Sequence, residues 1–162
     1  MEDKTLTTIG RAEKVNLIDL GFNHVPAKVD TGADASSIWA HSINQDNDKL
    51  EVIFFGPESP YYDGQVHKFP KSAYSITRVS SSFGHREIRY KLKLKIKVKG
   101  RIINGSFTLS DRSAKLYPIL LGRSLLKHKF IVDVSKGRPL VAEEKERRAK
   151  LKEEILKLDE ES

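Results

Sequence analysis

The chain has 162 residues, no cysteine, 38% hydrophobic residues and a formal net charge of +7. That length suits one domain with a real core, and the lack of cysteine excludes disulfide scaffolds and thiolate metal or redox chemistry. The charge is uneven: residues 142–162 hold 6 basic and 8 acidic side chains, leaving 23 against 14 in residues 1–141, a net of +9. A cationic body favours acidic partners such as nucleic acid, anionic lipid or an acidic peptide.

Met1-Glu2-Asp3-Lys4 is polar with no apolar stretch behind it, and no later run is long enough to span a bilayer. The expectation is therefore a cytoplasmic protein with no membrane partner. Residues 7–29 read as strands and tight connections. Val15, Leu17 and Leu20 suit a strand ending at Gly21, Asn23 and Pro26 mark a turn, and Ala27 and Val29 lie on a short apolar strand. Asp30-Thr31-Gly32 ends it. Ile38-Trp39-Ala40 restores apolar character before a polar loop over 44–49, and residues 50–55 form a strand stopped by Gly56-Pro57. Residues 60–70, with two tyrosines and Gly64, read as an excursion from the core.

The clearest strand follows. Tyr90, Leu92, Leu94, Ile96 and Val98 alternate with Lys91, Lys93, Lys95, Lys97 and Lys99, so one face is buried and the other is a row of lysines. Those lysines either form a solvated face that discourages edge pairing or guide an acidic polymer towards a site. Gly100 turns the chain and residues 102–109 return as a hairpin partner. Residues 118–122 are a compact apolar run, followed by Leu125-Leu126 and a strand at 130–132. From Ala142 the composition is that of a helix, with Leu151, Ile155 and Leu158 as a narrow apolar stripe. This helix covers a sheet edge, joins a dimer, or is a solvated tail. The division is a β-rich body over 1–141 and a charged helix or tail over 142–162.

Asp30-Thr31-Gly32-Ala33 is the segment with chemistry in it. A lone ionised aspartate is a poor catalyst, but two held together share one proton and titrate as a pair. The ionised member then activates water while the protonated member donates to a peptide carbonyl. Gly32 permits the tight turn and brings its N–H near the carboxylate, Thr31 supplies a hydroxyl to brace the turn, and small Ala33 lets two such loops approach. The plain alternative is a strand-ending turn capped by Asp and Gly.

Residues 27–38 (AKVDTGADASSI) and 119–126 (ILLGRSLL) resemble the two signatures of retropepsin-like aspartic proteases. Residues 78–89 (RVSSSFGHREIR), 108–112 (TLSDR) and 117–123 (YPILLGR) resemble further motifs of a bacterial group in that superfamily, labelled ATP-dependent zinc proteases or RimK-related proteases. The resemblance spans about residues 8–138. It implies a mostly β, closed, largely antiparallel acid-protease barrel, here with a C-terminal α-helix. It also implies a homodimer, because the chain has one Asp-Thr-Gly and a dyad needs Asp30 from each subunit on the two-fold axis. By the same resemblance Asp30 is the acid/base, Thr31 braces the dimer loop, Gly32 holds the carboxylate, and Gly122 and Arg123 form the supporting turn.

Lys28 departs from the retroviral pattern: on a regular strand it faces the same way as Asp30, and it either favours an ionised dyad or pairs with an acid elsewhere. The family's link to a ligase that adds glutamates to a ribosomal protein implies acidic, glutamate-rich peptides as substrates and a glutamate ligase as an associate. Arg78, Arg86, Arg89, Arg112 and Arg123 have the guanidinium forks that carboxylates require, unless Asp111, Glu87 or Asp133 occupies them. Ala33, Asp34 and Glu87 complete the candidate set. No metal site is expected from five scattered histidines, although His41 with Asp34, or His67 with Asp63, could meet in space. No cofactor is expected, since no phosphate-cradling loop is present. Ser80, Ser81 and Ser82 before His85 and Glu87 read as a loop rather than a nucleophile, with residues 80–84 a possible lid. A second class of function is a non-catalytic basic module for RNA or ribosomal surfaces, but base-stacking aromatic motifs are absent and nucleic acid is not the expected partner.

Overall fold

A computed structural model describes residues 5–80 and 84–161, the side chain of Ser80 apart. The elements are β1 (Thr7–Ile9), β2 (Ala12–Leu17), β3 (Phe22–Val29), β4 (Ser36–Asp46), β5 (Lys49–Phe54), β6 (Val66–Phe69), β7 (Tyr74–Ser80), β8 (Arg86–Val98), β9 (Arg101–Ser110), β10 (Ile119–Leu121), α1 (Arg123–Leu126), β11 (Phe130–Val132) and α2 (Val141–Glu161). The protein is mostly β with one long C-terminal helix. No helix among the described residues is long and apolar enough to cross a membrane.

Pairing runs β3–β2–β8–β9–β4, and the short β10 joins the two ends by bonding to both β3 and β4. Antiparallel ladders predominate, but β10–β3, β4–β9 and β1–β11 are parallel. The first two of these flank the Asp30 turn. Beyond this ring, β4 continues with β5 and β6 into a three-stranded arm, and β7 pairs with β8 as a long hairpin. The alternation in β8 places Leu92, Leu94, Ile96 and Val98 in the core with Val15, Ile38, Phe107, Leu109, Ile119 and Leu121. Each such side chain stabilises the fold by about 1.5–3 kcal/mol through burial. Phe22, Phe54 and Phe55 meet edge to face at the base of the arm.

Three segments differ from the sequence reading. Pro26 lies inside β3 rather than in a turn, because β10 pairs with β3 only from Ala27 onward and no ladder partner needs the missing N–H on that side. The polar run 44–49 is the outer half of the β4–β5 arm, solvated on both faces and reversed by a short turn at Asn47, whose φ is +54°. Residues 66–69 of the supposed excursion add a strand to that arm.

The C-terminal helix leaves its stripe in solvent: Leu151, Ile155 and Leu158 are 51–66% exposed, so they cover no sheet edge of this chain. Its contact with the body is at the first turns. Tyr117 Oη donates to Glu144 and accepts from the Leu140 N–H, both at 2.9 Å, and Arg11 donates to both Glu144 oxygens at 2.9–3.1 Å. Hydrogen bonding from Arg11 holds the Glu144 carboxyl below its ordinary value, with burial opposing. A depressed folded pKa stabilises the tether above the unfolded value and loses that contribution as pH falls through the folded one. Amide exchange in the first turns of α2 is therefore expected to accelerate, relative to β8, on acidification below the ordinary carboxylate range. Glu144→Gln should abolish that differential; an unchanged pH response in the variant would refute the tether.

Candidate active site

Asp30 is delivered by β3 and held by β10. Leu121 is in register with Val29, and the next N–H, that of Asp30, donates to the Leu121 carbonyl at 2.9 Å. Gly32 N–H donates to Asp30 Oδ1 at 3.0 Å, and Ala33 N–H closes the turn on the Asp30 carbonyl at 3.3 Å. The Asp30 side chain is half-buried, with Thr31 and Gly32 exposed beside it.

The run after β10 clamps the far side of the turn. Arg123 N–H donates to the Ala33 carbonyl at 2.8 Å and Ser124 N–H to the Asp34 carbonyl at 3.0 Å. Gly122 N–H donates to the buried Ser36 hydroxyl at 2.9 Å. A Cβ at Gly122 would lie 2.6 Å from the Ala35 carbonyl oxygen and 3.0 Å from that of Ala33; glycine is needed there for space, since its φ of −97° is ordinary. Arg123 Nη1 donates to the Thr31 carbonyl at 3.1 Å, and its other nitrogen is 4.0 Å from Asp34, which also accepts from Ser124 at 3.2 Å. Arg123 and Asp34 thus brace the turn. Thr31 contributes its carbonyl to the same brace.

A cleft of about 780 Å³ opens between this loop and the β7–β8 hairpin. Ala33, Asp34, Ser37 and Leu120 line one wall, and Arg78 and Arg89 come from the hairpin. Six cations face it, Arg78, Arg89, Lys91, Arg112, Lys115 and Lys129, against two carboxylates, Asp34 and Asp111. Arg112 is half-buried, and its Nε donates to the Tyr117 carbonyl at 2.9 Å. Burial pulls its guanidinium below the ordinary arginine value, the neighbouring Arg89 cation adds to this, and the Asp30 carboxylate opposes it. Arginine stays charged regardless. The cleft therefore sets two guanidiniums within electrostatic reach of each other and one within reach of Asp30, an arrangement that an incoming anion relieves.

Of the residues singled out in the sequence, Ala33, Asp34, Arg78, Arg89 and Arg112 line this cleft. Arg89 pairs with Glu87 at 3.1 Å, at the exposed edge of the hairpin. Arg86 is exposed opposite Ser80 and lies outside the cleft lining. Lys28 is exposed and in register with Leu120, which itself lines the cleft. Asp111 and Asp133 do not occupy the arginines: Asp111 accepts from the Ser113 N–H and Asp133 from the hydroxyl and N–H of Ser135, and these bonds hold both carboxyls below their ordinary values. The supposed lid over 80–84 and the serines before His85 fall largely outside the described residues, which omit 81–83. Lys91, Lys115, Lys129 and Ser36 were not picked out as site residues. Lys91 carried a signal as the first lysine of the alternating run, and Ser36 as part of the 27–38 motif.

The paired histidines suggested by sequence are placed otherwise. His67 sits among Phe22 and Phe54, ring centroids 5.9 and 5.5 Å away, while Asp63 accepts from the Gln65 N–H. His41 stacks edge-on against Tyr62 at 5.8 Å. Among the described residues no three His, Asp or Glu side chains gather in a way that could hold a metal ion, so these residues do not fit a zinc site.

The family model for RimB-like proteins, described as retropepsin-like aspartic endopeptidase RimB, matches residues 8–143. A probable alpha-L-glutamate ligase of Desulfotalea psychrophila is 28% identical over 134 residues, which are 82% of this chain and 29% of the ligase. The corresponding protein of Shewanella pealeana is 30% identical over 139 residues, 80% of this chain and again 29% of the relative. The chain thus spans less than a third of the length of these relatives. A crystal structure of a Legionella pneumophila protein of unknown function superposes with a TM-score of 0.63 at 24% identity, over 82% of this chain and 97% of that one. That likeness establishes the shared fold.

Proposed function

The chain belongs to the RimB-like family of retropepsin-like aspartic endopeptidases, and from that premise we propose that it is an aspartic-type peptidase acting in the cytoplasm on acidic, glutamate-rich peptides or protein tails. The observation that carries this reading is the half-buried Asp30 carboxylate, fixed by the Gly32 N–H in a turn whose next residues, Ala33 and Asp34, line a cleft faced by six cations.

Each chain supplies one such aspartate, so the working unit is a homodimer in which two Asp30 loops meet and the strand ring of each subunit is a closed acid-protease barrel. The exposed Thr31 and Gly32 are free to form that contact. Within the pair, the ionised Asp30 takes a proton from water as it attacks the peptide carbonyl, and the protonated partner donates to the carbonyl oxygen. The tetrahedral species collapses as a proton passes to the leaving nitrogen, with no covalent enzyme intermediate. Arg89 and Arg112 bind substrate carboxylates through charge-assisted hydrogen bonds. A similar segment within probable glutamate ligases supports a ligase as working partner, since chemistry that extends a glutamate tail and chemistry that trims it share a substrate.

Cleavage of glutamate-tailed peptides between about pH 4 and 8, with and without chelator and across protein concentrations, tests this. The expected result is hydrolysis indifferent to chelator, with activity per chain rising with concentration as dimers form. Loss of activity with chelator would overturn the dyad mechanism. Binding without hydrolysis at any pH, unaffected by Asp30 substitution, would favour a non-catalytic basic module.

A further inference from the structure

The cationic surface does not stop at the cleft. β8 runs from the hairpin into the body as one continuous strand, so the outward side chains that begin with Arg89 and Lys91 in the cleft continue as Lys93, Lys95 and Lys97, all exposed. Lys99 follows at the turn. Across the ladder, Lys93 is opposite Ser106, Lys95 opposite Asn104, and Lys97 opposite Ile102 on one side and Asn16 on the other. No neighbour in that register is acidic, and among the described residues none of these lysines is in an ion pair. Ser106 and Asn104 themselves line the cleft, and Asn104 and Lys129 also line a shallow second groove that reaches Lys99 and Arg101. Cleft and lysine row are therefore one surface.

We infer that the outward face of β8 is an extended binding track for an acidic peptide chain, which it feeds to the cleft. Alternate residues of a strand are about 6.7 Å apart, so Lys91 to Lys97 spans about 20 Å. An extended peptide has the same repeat, and every second carboxylate of an acidic run meets one ammonium. Phosphodiester chains share the charge, and surfaces built for single strands add aromatic side chains on which the bases stack, whereas the cross-strand neighbours here are serine, asparagine and isoleucine with no aromatic ring. The chemistry of the face therefore favours the peptide. The track extends the peptidase reading, which concerns the cleft alone, by making affinity depend on substrate length: a short acidic peptide fills the cleft, and a long one also engages β8.

Binding is measured with Asp30→Asn protein so that no turnover intervenes, using labelled oligoglutamates of about four and about twelve residues at about 0.05 M salt. The long peptide is expected to bind more tightly, with a steeper salt dependence. The triple substitution Lys93→Gln, Lys95→Gln, Lys97→Gln is expected to reduce the long-to-short affinity ratio about tenfold. An unchanged ratio overturns the track, as does an oligouridylate that binds more tightly than the long peptide with the same lysine dependence, which would assign the face to nucleic acid. Three glutamines on an exposed strand leave the core untouched, and an unaltered unfolding midpoint verifies this. Because the readout is binding, the track can fail while the peptidase stands, and the peptidase can fail while the track stands.

Discussion

Asp30→Asn is expected to lower peptide hydrolysis about 10³-fold or more while leaving the fold intact. Asparagine has the same shape, and its Oδ1 can still accept the Gly32 N–H that Asp30 accepts at 3.0 Å, so the turn keeps its internal bond. What disappears is the negative charge that takes a proton from water. A loss of activity with an unaltered unfolding transition thus isolates chemistry from structure. The same variant tests the shared site. Mixed with wild type in equal amounts, it yields dimers of which about one quarter carry two aspartates, so activity per total chain falls to about one quarter. Independently acting chains would give about one half, and that result would rule out a dyad built across two subunits.

Gly122→Ala should act in the opposite order, on structure first. The new methyl group would lie 2.6 Å from the Ala35 carbonyl oxygen; a Cβ has no torsion of its own by which to move away, and the oxygen belongs to backbone. We expect a loss of about 3 kcal/mol in unfolding free energy, the upper range for overpacking a tight interior. Activity should fall further than stability explains, because relief requires the 33–35 backbone to move and Asp30 with it. Denaturant titration gives the first quantity. Hydrolysis at a temperature where the variant is fully folded gives the second. A variant as stable as wild type would mean that the clamp behind the turn is looser than these distances state.

Much of the fold was legible in sequence because its strongest signals are local. The lysine alternation of β8 has period two over nine residues, and only a strand with one buried face fits it. Asp30, Gly32 and the 119–126 run were visible as motifs, and the structure brings these segments together through the β10–β3 ladder. Pro26 was misread because a proline's meaning depends on whether a neighbour needs its N–H, and sequence does not show where a neighbouring strand begins. The 44–49 run was misread because an arm solvated on both faces has no apolar face to produce alternation. His67 could not be placed among phenylalanines from its spacing. Arg112 was one of five candidate arginines until its bond to the Tyr117 carbonyl fixed it in the cleft, and Lys115 and Lys129 reach the same cleft through connections that carry no pattern.

The Asp30 turn is held by residues far away in the chain: Ser36 to Gly122, Thr31 to Arg123 and Asp34 to Ser124 are 86, 92 and 90 positions apart. Contacts of such separation form late, because a long loop must close before any of them exists. During synthesis the aspartate emerges early but stays unsupported until the Gly122–Ser124 segment has also cleared the ribosome. The loop that presents Asp30 is therefore completed only once residues 122–124 are available to it, so topology places its assembly after that of the strands made between the two segments.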